Sequence, residues 1–77
     1  MIEVRYFAAA REAAGIASES RGEATVGELR AAMVRDHPAL ERLLGHCALL
    51  VDGARRADEH PLDQAVEADV LPPFAGG

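Results

Sequence analysis

Seventy-seven residues hold one small domain, close to the lower size at which a chain builds an unaided core. With two Phe, one Tyr and no Trp, that core is aliphatic and has little room for a deep substrate pocket, which points to a carrier or interaction protein and away from a self-contained enzyme. The net charge is -5 and all eight basic residues are Arg, so the domain repels a phosphate backbone and carries no side-chain amine to accept an isopeptide bond.

Residues 2–8 alternate, with Ile2, Val4, Tyr6 and Ala8 on one side and Glu3, Arg5 and Phe7 on the other. Period two in β-branched and aromatic residues predicts a half-buried strand with the first set on its core face. Phe7 then falls on the outer face beside two charges. Residues 9–14 are strong helix formers stopped by Gly15. Residues 16–24 are mostly polar and predict a weak edge strand. Thr25-Val26-Gly27-Glu28 matches a capping box and opens the main helix, whose apolar stripe is Val26, Leu29, Ala32 and Met33. Asp36-His37-Pro38 interrupts that helix. Pro38 suits the first turn of a second short helix that directs Leu40, Leu43 and Leu44 inward and closes at Gly45.

Residues 47–51 read as a central strand, followed by a tight Asp52-Gly53 turn and a short return strand near residues 55–57. Residues 61–64 predict a helical turn. Residues 66–71 alternate again, with Val66, Ala68 and Val70 on one face and Glu67, Asp69 and Leu71 on the other. Pro72-Pro73 ends this strand, because neither proline can donate to a ladder. One main helix across a small mixed sheet makes an α+β domain over residues 1–71, with a tail over residues 72–77.

Cys47 is the single cysteine and forms no internal disulfide; it is expected to be a small buried hydrophobe. His37, His46 and His60 lack ligand spacing, so no metal site is expected. Arg55-Arg56 is expected to be a solvated turn. Charges at Glu3 and Arg5 stand where a signal peptide needs an apolar stretch, and no apolar run reaches the length of a membrane span. The expected setting is the reducing cytoplasm, with no nucleic-acid or membrane partner.

The tail Pro72-Pro73-Phe74-Ala75-Gly76-Gly77 extends to roughly 20 Å at most. Two prolines favour an extended exit, and two glycines leave a thin tip. A carboxylate is inert until ATP converts it to an acyl-adenylate, and an enzyme that does this must close around the tip to exclude water. Glycines remove the Cβ atoms that would widen its channel. Sulfur transfer to the acyl carbon then gives a thiocarboxylate, a good nucleophile at neutral pH. A terminal Gly-Gly arises by chance in about 1% of chains this rich in glycine, so the preceding strand and double proline carry much of the weight. Gly77 is the expected working residue. Gly76, Ala75, Phe74, Pro73 and Pro72 would thread into a partner, with Phe74 as an anchor.

Val4-Arg5-Tyr6-Phe7-Ala8 with Arg11-Glu12 and Gly15, and the ending Leu71-Pro72-Pro73-Phe74-Ala75-Gly76-Gly77, resemble the molybdopterin synthase small-subunit family. Thr25-Val26, Leu29 and Pro61-Leu62 fall in suitable places between, and the similarity runs over nearly the whole chain. Pro72-Pro73 is its most specific part, since the thiamine-pathway sulfur carriers usually lack it. The resemblance implies a β-grasp, ubiquitin-like fold. It implies that an adenylating and sulfurating partner of the ubiquitin-activating type uses ATP to activate Gly77, which becomes a thiocarboxylate. The tail would enter the large synthase subunit, within a heterotetramer, and give its sulfur to precursor Z to build the dithiolene of molybdopterin. The chain itself would bind no cofactor and have no activity alone. Phe7 and Leu71, on neighbouring strands in such a fold, would form a docking patch. One stretch departs from the family: Ala65-Val66-Glu67 stands where a Gly-Asp-Glu turn is usual. Other readings are a carrier for thiamine thiazole, cysteine or another sulfur-dependent product, a ubiquitin-like modifier that joins Gly77 to an amine, and an interaction module with an inert tail.

Overall fold

In a computed structural model that describes residues 1–73, the N-terminal alternation forms β1 (Ile2–Tyr6), which buries Ile2, Val4 and Tyr6. The strand ends before Ala8, which is exposed at φ 50° and so leaves the expected core face. The chain must turn there to enter α1 (Ala9–Ala14), which Gly15 closes in the left-handed conformation at φ 77°. The polar stretch that follows supplies β2 (Ser18–Arg21), an edge strand paired only with β1.

The Thr25 hydroxyl caps α2 (Val26–Asp36) by accepting from the Glu28 N–H at 3.2 Å. Val26, Leu29, Ala32 and Met33 are all buried, as their spacing requires. Pro38–Leu40 forms a 3₁₀ turn leading into α3 (Glu41–Leu44); Leu40 and Leu44 are buried and Leu43 is half-buried. Gly45 closes α3 with ordinary right-handed dihedrals.

β3 (Ala48–Val51) and β4 (Ala54–Arg55) form a hairpin whose turn residues, Asp52 and Gly53, have φ 49° and 85°. Positive φ at both positions is the tight turn that matches strand twist. The last strand, β5 (Glu67–Leu71), inserts between β1 and β3 to give the order β2-β1-β5-β3-β4. The central place therefore belongs to β5, and β3 lies one strand from the edge. β5 runs parallel to β1 and antiparallel to β3.

Residues 61–64 make a single turn, closed by the Ala65 N–H donating to the Leu62 carbonyl at 3.1 Å, while Pro61 bridges Thr25 and the Leu62 N–H donates to the Ala24 carbonyl at 2.8 Å. Leu62 is buried. One further expectation is corrected. Val66 is 70% exposed and precedes β5, because its N–H is taken by the Asp52 carboxylate instead of a neighbouring strand.

The buried aliphatic residues of the sheet's inner face, with Tyr6, close against Ala10, α2, Leu40 and Leu44 in one core. This is the α+β, β-grasp arrangement, a mixed sheet gripping one main helix. Among the described residues no helix is long and apolar enough to cross a membrane.

Candidate functional site

Because β1 and β5 are parallel, both finish at the same end of the sheet. Tyr6 pairs with Val70, and the Phe7 N–H donates to the Val70 carbonyl at 3.2 Å. Phe7 thus stands one step beyond the last paired position, beside the register place of Leu71. Phe7 is 36% exposed and Leu71 is half-buried. The two predicted docking residues are brought together at the place where the chain leaves its last strand.

Alternation decides what surrounds them. Leu49 and Val51 face the core, so Ala48 and Leu50 share the outer side with their partners Leu71 and Asp69. Both are half-buried and extend the apolar surface begun by Phe7 and Leu71. Sequence reasoning missed them, although the period-two pattern within residues 48–51 carried the signal. Arg5 borders the patch. Its Nε lies 2.7 Å from Asp69 Oδ1, and its Nη2 lies 3.0 Å from Asp69 Oδ2 and 3.2 Å from Glu67. The Arg5 guanidinium also stands 5.7 Å from the Phe7 ring centroid, a cation–π contact that limits where the ring can go. The outer face is thus an apolar strip beside an ordered charge cluster.

Pro72 is buried and Pro73 is exposed, so the fold holds the chain through the first proline. Phe74, Ala75, Gly76 and Gly77 lie outside the described residues, as do the threading and activation roles expected of them.

Cys47 precedes Ala48 and so lies at this same end. It is half-buried, and its thiol donates to the Leu43 carbonyl at 3.3 Å. Burial pushes the thiol up and keeps it protonated.

A second polar cluster lies on the helix side of β2. The Tyr6 hydroxyl donates to Glu19 at 2.6 Å, and His37 Nε2 lies 2.7 Å from the same carboxylate oxygen. Arg21 reaches Glu23 at 2.8 Å, Asp36 at 2.8 Å and Glu19 at 3.2 Å. Burial pushes the Tyr6 phenol up, and the Glu19 carboxylate raises it further. This network ties the edge strand to the end of α2. Sequence reasoning treated His37 as isolated because its partner lies eighteen positions away. Among the described residues no group of His, Cys, Asp and Glu side chains could hold a metal ion.

A family model described as the ThiS family matches residues 4–77. The molybdopterin synthase sulfur carrier subunit of Chlamydomonas reinhardtii is 35% identical over 81 residues, covering 99% of this chain and 98% of that protein. Among solved structures, SAMP1 from Haloferax volcanii is 32% identical with a TM-score of 0.79, covering 99% of this chain and 98% of that one. The complex of subunits 1 and 2 of the molybdopterin-converting factor from Helicobacter pylori contains a chain 27% identical with a TM-score of 0.72, covering 99% of this chain and 97% of that one.

Proposed function

The chain belongs to the ThiS family, and on that premise we propose that it is the sulfur-carrying small subunit of a molybdopterin synthase. The observation that carries this reading is the end-to-end similarity to the Chlamydomonas reinhardtii sulfur carrier subunit. The partner reading is supported by the likeness to a chain in the Helicobacter pylori complex of subunits 1 and 2.

The chemistry belongs to Gly77. Its carboxylate oxygen attacks the α-phosphorus of ATP on an activating partner, releasing pyrophosphate and leaving an acyl-adenylate. A donor that supplies sulfur at the sulfide level, as hydrosulfide, attacks the acyl carbon, the bond to AMP breaks and AMP leaves, the proton passes to water, and a thiocarboxylate remains. Gly77 then enters the large subunit, and its sulfur passes to precursor Z. Phe7 and Leu71, with Ala48 and Leu50, dock the partner on the outer face. Pro72 fixes the root of the tail, Pro73 directs it outward, and Phe74, Ala75 and Gly76 thread it into the partner. The chain works in the cytoplasm, and the large subunit supplies the catalytic pocket of a heterotetramer.

The likeness to SAMP1, a small archaeal modifier protein, favours a second reading in which Gly77 joins a target amine. Capture of partners on a Gly77-trapped chain separates the possibilities. The sulfur-carrier reading expects a synthase large subunit and an adenylating enzyme, and removal of Gly77 should abolish sulfur transfer while the thermal midpoint stays near that of the full chain. Recovery of a thiazole-forming enzyme in place of the large subunit overturns the pathway. Lysine-linked conjugates without any sulfur transfer overturn the carrier chemistry.

A further inference from the structure

We propose that Asp69 and Arg5 are positioning residues for docking: Asp69 pins the Arg5 guanidinium, and Arg5 in turn holds the Phe7 ring on the outer face before a partner arrives. The inference rests on the docking role proposed above for Phe7 and concerns what sets that ring in place.

Phe7 stands at a corner where little else holds it. β1 ends at Tyr6, and the chain turns away at Ala8, which has φ 50°. Among the described residues the ladder with β2 ends at Arg5 opposite Ser18, so Phe7 has no ladder partner on that side. Its ring is exposed and stands outside the core cluster, so core packing does not select its rotamer. Side chains two apart on a strand share a face, which makes Arg5 its neighbour along β1.

An arginine held by nothing would give up rotamer freedom to hold a ring. Here that freedom is already taken. The parallel register sets Asp69 opposite Arg5, so the backbone delivers the carboxylate. Nε lies 2.7 Å from Oδ1 and Nη2 lies 3.0 Å from Oδ2, the paired fork that fixes a guanidinium plane. Glu67 adds a contact to Nη2 at 3.2 Å. With that edge pinned, Cζ stands over the Phe7 ring at 5.7 Å from its centroid, inside the cation–π reach of about 6 Å. Asp69 also lies two residues before Leu71 on β5. The strand that supplies one apolar docking residue thus fixes the other through Arg5.

The test begins with NMR on the full chain alone, reading the Phe7 χ1 couplings and the ring-current shifts of the Arg5 side-chain protons. The native chain should show one Phe7 rotamer and upfield-shifted Arg5 protons. Asp69→Asn should average the rotamers and return the Arg5 protons toward unshifted values. Arg5→Lys keeps the charge without the fork and should average the rotamers as well. A single unchanged rotamer in both variants would overturn the proposal. Calorimetric binding to the large subunit captured as above supplies the second readout. Asp69→Asn should weaken it by about threefold in the native background and not at all beside Phe7→Leu, which keeps an apolar side chain but offers no ring face. Equal weakening in both backgrounds would overturn the proposal, since Asp69 would then act without the ring. Failure of the ring measurement leaves the sulfur-carrier reading standing. Failure to capture a large subunit removes that reading, while the ring measurement still decides whether Arg5 holds Phe7.

Discussion

Glu19 is a charged residue on the helix side of the sheet, and three partners determine its state. Burial pushes its carboxyl up, but hydrogen bonds from Tyr6 and His37 and the nearby charges of His37 and Arg21 outweigh burial and hold it below the usual carboxylate range. A carboxyl depressed in the folded state stabilises the fold above its unfolded pKa, and that contribution is lost as pH falls through the folded value. Glu19→Gln should therefore lower the thermal midpoint at neutral pH, with the gap to the native chain closing below the ordinary carboxylate range of about 4. Thermal melts of both proteins across that range check it; a gap independent of pH would mean that charge is not what Glu19 contributes. Phe7 gives the opposite case. It is exposed and outside the core cluster, so Phe7→Ser should weaken capture of the partner while moving the melting midpoint little. Calorimetric binding and melting of the same variant separate those effects. The placement of Phe7 was legible because alternation is local. That of Glu19 was not, because Ser18-Glu19-Ser20-Arg21 has no apolar member to show which side faces inward.

At the scale of elements, the strand that leads into the tail is started by a turn far from it in sequence. The Asp52 carboxylate accepts from the Val66 N–H at 3.1 Å and from the Glu67 N–H at 3.0 Å, while Asp52 itself sits at φ 49°. Asp and Asn tolerate that conformation better than Ala. Asp52→Ala removes both the acceptor and the tolerance and should cost about 1–2 kcal/mol. Asp52→Asn keeps the tolerance and one carbonyl acceptor, so it should cost less. Urea denaturation ranks them, and equal losses would show that the cap on β5 is unimportant. The Asp52-Gly53 turn was legible as a favoured dipeptide. Its second role was not, because it joins positions 14 apart in a stretch where Ala65-Val66-Glu67 departs from the family's usual turn. The pairing of Leu62 with Ala24 was hidden for the same reason, whereas the local turn that closes on Ala65 was legible. The capped helix α2 could be read from sequence because both its cap and its stripe lie within one element.

For the whole molecule, the parallel pairing of β1 with β5 gathers Phe7, Leu71 and the tail root at one end and leaves Met1 at the other. Neither strand alone reveals that; the strand order makes it. The same is true of Pro72, which reads as the first residue of a free tail yet is buried once β5 lies between its neighbours. The fold thus fixes the chain through Pro72 beside an apolar face, a form suited to the proposed carrying of a small group to a partner's pocket. The most direct measurement is the intact mass of the protein isolated from its own cells grown with ample sulfur. The predicted result is a gain equal to the exchange of one oxygen for one sulfur, lost when Gly77 is removed. Free carboxylate alone under those conditions would contradict the sulfur-carrier function.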